Sequence, residues 1–251
     1  MIELKTAAEI AIMRRAGAVV AGLLEHVSGL VKPGVKTRML DEAAAAYLKA
    51  QGAAPAFLGY RGYPATICVS VNEEVVHGIP GERRIREGDL VSIDAGAVIE
   101  GYYGDAAVTL PVGRVAPDMK RLLDTTRQAL DAGIAVARIG RRLSDISHAE
   151  QRTIERERFG IVRDFVGHGI GTAMHEEPAI PNFGPPNTGP RLVAGMVLAI
   201  EPMVTLGRPE VDVLEDGWTA VTRDRSWAAH FEHTVAVTER GPQILTAGAD
   251  G

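Results

Sequence analysis

Gly88-Asp89-Leu90-Val91-Ser92-Ile93-Asp94 and Gly195-Met196-Val197-Leu198-Ala199-Ile200-Glu201 carry nearly the same message. Each opens on glycine, runs mostly apolar and stops on a carboxylate. A short apolar run bounded by glycine reads as a buried strand. A carboxylate at the end of such a strand is costly unless something positive meets it. The likeness continues downstream. Asp105-Ala106-Ala107-Val108-Thr109 resembles Glu232-His233-Thr234-Val235, and His77-Gly78-Ile79 resembles His168-Gly169-Ile170. The chain reads as two related halves, each offering two acids and one histidine. A metal site with mixed oxygen and nitrogen ligands is the simplest physical reason to gather them.

The segments between these stretches repeat the same order. Thr6-Ala7-Ala8-Glu9 fits a capping box, and Ile10, Met13, Gly17, Val20, Leu24 and Val27 follow at helical spacing. Lys32-Pro33-Gly34 ends that helix. Thr37 is placed to cap a second one, with Leu40, Ala44, Tyr47 and Leu48 inward and Gly52 at its end. Strand-like runs follow at Thr66–Val71, Leu90–Asp94 and Tyr102–Leu110. A second helix pair spans roughly Pro117–Ile139 and Ser144–Phe159, and strands recur near Arg163–Val166, Met196–Glu201 and Ala229–Thr238. Grouped helices and grouped strands predict an α+β fold rather than alternating βαβ units. The proline- and glycine-rich Gly184–Pro190 is a loop inside the second half. The expectation is a single catalytic domain over 1–251, with pseudo-symmetric halves of about 1–115 and 116–251 around a central cleft.

Composition narrows the function classes. A chain of 251 residues with 46% hydrophobic content can bury a sizeable core. Its net charge of −5 argues against bulk attraction to nucleic acid. Cys68 is the one cysteine, so no intramolecular disulfide can form. No run of eighteen apolar residues appears, and Met1-Ile2-Glu3-Leu4-Lys5 lacks the apolar core of a signal peptide. These features predict a soluble, cytoplasmic, monomeric protein.

The acids then decide the chemistry. Asp94 and Asp105 lie eleven residues apart with Gly96, Gly101 and Gly104 between them, which suits a hairpin with both carboxylates on one face. Glu201 precedes Pro202, which cannot donate to a ladder and so fits a strand end. His168 sits between Gly167 and Gly169, which leave its ring open to approach. A phosphate-binding loop fits that glycine run less well, since no clear helix opens after Gly171. His26 and His148 fall on predicted helices and read as surface residues. His230 and His233, flanking Glu232, are expected to point away from it by strand alternation. Four carboxylates in one cleft raise one another's pKa, and a pair of divalent cations removes that penalty. Oxygen ligands with one imidazole suit Mn, Fe, Co or Zn. Two such cations lower the pKa of a shared water from 15.7 towards about 7, which implies hydrolysis of a carbonyl or phosphoryl group. His-Glu-x-x-His is absent.

With Gly59-Tyr60-Arg61-Gly62-Tyr63-Pro64, Val69-Ser70-Val71-Asn72-Glu73, His77-Gly78-Ile79-Pro80, Gly167-His168-Gly169-Ile170-Gly171 and His175-Glu176-Glu177-Pro178 in register, the series Asp94, Asp105, His168, Glu201, Glu232 resembles the methionine aminopeptidases of the pita-bread fold over nearly the whole chain. That resemblance implies two divalent metal ions. Asp94 would hold one, His168 and Glu201 the other, and Asp105 and Glu232 would bridge them. Glu201 would shuttle a proton, His77 would contact the scissile amide nitrogen, and His175 would bind the carbonyl oxygen. The methionine pocket would map to Phe57, Tyr60, Tyr63, Cys68, Met174 and Trp218. Phe57 and Met174 depart from the cysteine and phenylalanine commonest in well-known bacterial members, but both stay apolar. The short interval from Glu201 to Glu232 resembles the bacterial type I form. The implied substrate is the initiator methionine of nascent chains with a small second residue. Glu82-Arg83-Arg84-Ile85-Arg86 would be either a ribosome contact near the exit tunnel or a charged surface turn. The competing readings are a proline-directed peptidase of the same fold and a non-catalytic binding module.

Overall fold

The computed structural model describes residues 1–248, so the last three positions of the expected 1–251 domain lie outside the described residues. The first half runs α1 (Ala7–Ser28), α2 (Thr37–Ala50), β1 (Ala54–Pro55), β2 (Ile67–Val71), β3 (Glu74–Val76), β4 (Leu90–Ile99) and β5 (Tyr102–Pro111). The second opens with α3 (Pro117–Val136) and α4 (Leu143–Arg156), then β6 (Gly160–Ile161), β7 (Gly167–Gly169), β8 (Glu176–Ile180) and β9 (Val197–Ile200). It continues with β10 (Met203–Thr205), β11 (Val211–Val213), β12 (Ala220–Thr222), β13 (Ala228–His230), β14 (Glu232–Thr238) and β15 (Gly241–Ile244).

The helix–helix–strands order predicted from sequence is present twice. At the start of α1 the Thr6 hydroxyl accepts the Glu9 N–H and the Glu9 carboxylate accepts the Thr6 N–H, the reciprocal capping box. Thr37 behaves differently from expectation. Lys36 occupies the N-cap without a side-chain bond, and the Thr37 hydroxyl accepts the Gly81 N–H at 2.8 Å instead. It thereby ties α2 to the loop after β3. The strand expected at Arg163–Val166 does not form; short strands flank it at β6 and β7, and the second of these carries His168.

One sheet of nine strands spans both halves, in the order β1-β4-β5-β14-β9-β7-β8, with β2 on β4 and β15 on β14. All pairings within it are antiparallel. Alternation sorts its residues cleanly. Val69, Val91, Ile93, Ala95 and Ala106 face α1 and α2 in one core with Val20, Leu23, Leu40 and Leu48. Leu198, Ile200, Val235 and Val237 face α3 and α4 in a second core with Leu122, Leu130, Ile146 and Ile154. The residues between these, which include every predicted acid, project from the other face.

Within this sheet the halves join at β5 and β14 through only two register pairs, Glu232↔Ala107 and His233↔Ala106. Beyond each end of that short ladder a threonine replaces backbone pairing. Thr234 Oγ1 accepts the Asp105 N–H at 3.0 Å and donates to its carbonyl at 2.8 Å. Thr109 Oγ1 likewise accepts the His230 N–H at 2.8 Å and donates to its carbonyl at 2.7 Å. Each inserted hydroxyl satisfies buried backbone groups while holding the strands further apart than a ladder would. The seam is thus widened at Asp105 and His230.

Glu150, on α4, is a liability in this scaffold. It is completely buried, and neither carboxylate oxygen has a hydrogen-bond partner among the described residues. Burial pushes its pKa well above the usual 4.5, so the fold retains a proton that the unfolded chain releases. That contribution to stability is present below about pH 4.5 and is lost as pH rises. Glu150→Leu is therefore expected to stabilise the protein by about 1–3 kcal/mol at pH 8, with a smaller gain at pH 5. Urea unfolding at both pH values checks this; equal stability of parent and variant at pH 8 contradicts it.

Candidate active site

Register places the predicted acids in one row. Asp94 on β4 pairs with Ala107 on β5, and Ala107 pairs in turn with Glu232 on β14. Two carboxylates thus flank one small side chain. Asp105 lies two residues before Ala107 and shares its face. Across β14, Thr234 pairs with Ala199 of β9, and Ala199 also pairs with His168 of β7. Glu201 lies two residues beyond Ala199, so it too shares the face. Four residues on four strands and Glu201, immediately after β9, converge without help from a long loop.

The row carries charge without compensation. Asp105 and Glu232 are almost wholly buried. Burial pushes Asp94 up to about 7. Asp105, Glu201 and Glu232 rise well above the usual carboxylate range, through burial first and then through one another's charge. Burial drives the histidines the other way: His168 and His230 fall to about 3 and His77 to about 4. Imidazoles that are neutral at pH 7 give the acids no positive partner. Asp94 Oδ1, Asp105 Oδ1 and Glu232 Oε1 are buried without hydrogen-bond partners among the described residues.

This donor set fits a divalent cation. Ligand atoms of Asp105, His168 and Glu232 lie within 4.8 Å of one another, as do those of Glu201, His230 and Glu232. Asp94 stands beside Asp105, outside both triads. His168 Nε2 is 3.5 Å from Glu201 Oε1 and 4.0 Å from Asp105 Oδ2. The glycines flanking His168 serve strand approach. A Cβ on Gly167 would meet the Ala199 carbonyl oxygen at 2.4 Å, and one on Gly169 would meet that of Glu177 at 2.2 Å.

Beside the row lies an apolar cluster of Phe57, Tyr63, Cys68 and Met174, with Tyr60 and Trp218 packed against it. Cys68 pairs with Asp94 across β2 and β4, so it joins the cluster to the row. Burial pushes the Cys68 thiol well above its ordinary pKa, which leaves it an inert apolar group. The Tyr63 hydroxyl donates to the carbonyls of Ile67 and Gly78, at 3.2 and 3.0 Å, and leaves its ring edge against Trp218. His77 has a left-handed backbone, φ 61, and packs edge-on against Phe165. His175 stacks on Tyr60, whose hydroxyl lies 2.8 Å from its Nδ1. One cavity of about 150 Å³ is lined by all thirteen residues singled out from the sequence, together with Arg61.

Two neighbours were not anticipated. Arg61 lies at the cavity with φ 48, its guanidinium over the Tyr60 ring. His230, expected to point away from Glu232, does not: it is buried with Nε2 3.7 Å from Glu201 Oε2. The signal was in the sequence. Residues 230 and 232 share parity, and their ligand atoms lie within 4.8 Å of one another. His233, of opposite parity, does turn away and meets Thr246 Oγ1 at 2.9 Å.

Comparison with known proteins agrees with this geometry. The sequence pattern of metallopeptidase family M24 matches residues 11–239. Methionine aminopeptidase 1 of Bacillus subtilis is 54% identical over 246 residues, which cover 98% of this chain and 99% of that protein. The chain belongs to metallopeptidase family M24. Methionine aminopeptidase 1 of Mycobacterium tuberculosis is 51% identical over 97% of this chain and 94% of that protein. The crystal structure of methionine aminopeptidase from Thermotoga maritima superposes with a TM-score of 0.97 at 49% identity, covering 98% of this chain and 99% of that one. Prolidase from Pyrococcus furiosus shares the fold, with a TM-score of 0.79 at 24% identity over 97% of this chain and 65% of that one. The α+β, pita-bread architecture expected from the sequence therefore holds. An M24 metallopeptidase works through a divalent metal, which this cluster is suited to hold.

Metal and protons compete for the row. The metal-free fold is favoured below the unfolded carboxylate values of 3.8 and 4.5 and loses that contribution as pH rises through about 7 and above. A bound divalent cation takes the place of those protons. The Tm difference between Mn-loaded and chelator-stripped protein is expected to widen from pH 5 to pH 8. Differential scanning fluorimetry reads this directly; a difference that stays flat or shrinks contradicts the cluster as the metal site.

Proposed function

We infer that this chain is a methionine aminopeptidase that removes the N-terminal methionine of polypeptides by metal-dependent hydrolysis. The observation that carries the reading is the junction of a five-residue row of metal-type donors with an apolar, aromatic pocket. Near full-length identity to proteins of that name supports it. The initiator methionine of nascent chains with a small second residue is the substrate proposed. One catalytic domain over residues 1–251 and a cytoplasmic, monomeric protein complete the reading. No helix is long and apolar enough to cross a membrane among the described residues. At the proposed ribosome-facing turn, Glu82 pairs with Lys36 and Arg38, and Arg83 with Glu73 and Glu74, which favours a charged surface turn there.

Two divalent ions are proposed, of Mn, Fe, Co or Zn type. Asp94 would hold one ion, His168 and Glu201 the other, and Asp105 and Glu232 would contribute to both. When bound, the metal supplies Lewis-acid polarisation and a water of lowered pKa. The chain does the rest. Phe57, Tyr60, Tyr63, Cys68, Met174 and Trp218 hold the unbranched thioether side chain by packing and sulfur–aromatic contact. Glu201, whose two oxygens face His168 and His230, is assigned to take and return a proton. In the Nε2–H tautomer of His175 the Tyr60 hydroxyl donates to Nδ1 at 2.8 Å, and the Nε2–H is free to donate to the scissile carbonyl oxygen. His77, fixed by its left-handed backbone, is assigned to the scissile amide nitrogen.

Met-Ala-Ser, Met-Leu-Ser and Ala-Pro-Ser, offered to stripped protein with and without Mn, Fe or Co, test the assignment. Metal-dependent release of methionine from Met-Ala-Ser alone is expected. Cleavage only before proline makes the protein a proline-directed peptidase, and no cleavage by folded, metal-loaded protein leaves a binding module. Asp105→Ala and Glu232→Ala are expected to lower kcat by at least about a thousandfold with the fold retained, in line with metal-centred catalysis. Tyr60→Phe removes the hydroxyl facing His175 Nδ1 and is expected to lower kcat about tenfold or more with little change in KM. An unchanged kcat contradicts the His175 role.

A further inference from the structure

We propose that His230 is a positioning residue for Glu201: its imidazole Nε2–H holds one carboxylate oxygen so that the other is presented to the metal. This rests on the reading of Glu201 as a metal ligand. Glu201 lies between two imidazoles. His168 Nε2 stands 3.5 Å from Oε1, and His230 Nε2 stands 3.7 Å from Oε2. Each oxygen has its own nitrogen. His230 Nε2 is buried and without any other partner among the described residues, so nothing competes for it.

The surroundings hold the backbone at both residues. The backbone of His230 is held at both N–H and carbonyl by Thr109, whose hydroxyl meets Ser92 Oγ at 2.8 Å. The Glu201 carbonyl accepts from Asn182 Nδ2 at 3.2 Å. The last torsion of a glutamate is broad and two-fold, so it is the freedom that packing leaves open. A buried N–H donor on one oxygen closes it, as partners of ligating carboxylates do in metal sites. The present separation is just beyond hydrogen-bond reach, and a small rotation of the carboxylate closes it; such bonds are commonly long before ligands bind. A neutral imidazole has one N–H, and donation to Glu201 requires it on Nε2.

The test uses the full chain with His230→Ala, His230→Gln and Glu201→Ala, each verified as folded by circular dichroism. Calorimetric titration of stripped protein with Mn is read beside kcat and KM on Met-Ala-Ser. His230→Ala is expected to weaken metal binding roughly 10- to 100-fold at unchanged stoichiometry and to lower kcat by a similar factor at unchanged KM. His230→Gln, whose amide N–H reaches the same oxygen, is expected to recover most of both losses. Parent-like affinity and kcat in His230→Ala overturn the proposal, and so does loss of a whole metal equivalent, which would make His230 a ligand. Failure of Gln to rescue also counts against it. If His230→Ala does not fold, His230→Asn, too short to reach the oxygen, takes its place. Glu201→Ala separates the two levels: if it leaves metal affinity unchanged, the ligand reading of Glu201 fails, whatever the His230 variants show.

Discussion

Four carboxylates share one buried patch of sheet, and among the described residues the only ion-pair partners within reach are His168 and His230. Burial keeps both imidazoles neutral at pH 7. Repulsion and desolvation therefore act together on Asp94, Asp105, Glu201 and Glu232, and only protons or an external cation relieve them. Most other features of the molecule follow from the need to hold that cluster still. Asp94, Asp105 and Glu232 sit on strands and Glu201 immediately follows one, and strands of both halves contribute. The seam at Asp105 and His230 is held open by threonine hydroxyls, not closed by a ladder.

The scaffold tolerates the cluster because alternation separates its two duties. Along β4, Val91, Ile93, Ala95 and Ala97 pack under α1 and α2, while Asp94 and Gly96 face the site. Along β9 and β14, Leu198, Ile200, Val235 and Val237 pack under α3 and α4, while Glu232 faces the site. Fully burying each of the larger apolar side chains contributes about 1.5–3 kcal/mol, and two such cores lie behind one strained face. Cys68 marks where the face changes character. It neighbours Asp94 across the ladder yet belongs to the apolar cluster with Phe57 and Tyr63. Polar chemistry and an apolar pocket meet there with no loop between them.

The long strands and the helices were legible because their signals are local. Thr6 and Glu9 announce α1, and the apolar runs before Asp94 and Glu201 announce β4 and β9. The strand of His168 was not legible. It has three residues, two of them glycine, and no intrinsic strand propensity. The carbonyls of Ala199 and Glu177 leave no room for a side chain at either glycine, a long-range constraint with no local signal. Thr37 looked like a cap from its position but is committed to Gly81, a long-range contact that spacing cannot reveal. Arg61 lies in a segment whose left-handed backbone has no marker in an arginine. The expectation for His230 failed for a different reason: parity alone places it with Glu232, and the two side chains do meet beside Glu201.

The sequence echo between His77-Gly78-Ile79 and His168-Gly169-Ile170 ends in two unlike places. His168 lies within a strand of the large sheet, locked on both sides, and its Nε2 faces the acids. His77 follows β3, which pairs with β12 in a separate three-stranded sheet, and its left-handed backbone directs it towards Trp218 and the pocket. The acids, by contrast, kept matching positions: each half supplies one from a strand that ends an apolar run and one from its neighbour. Metal-type donors therefore draw on both halves, whereas the apolar pocket is built mainly from the first, with Met174 and Trp218 added from the second. The acids thus hold equivalent positions in the two halves while the histidines diverge, and this asymmetry sets the apolar cluster to one side of the donor row in a single cavity.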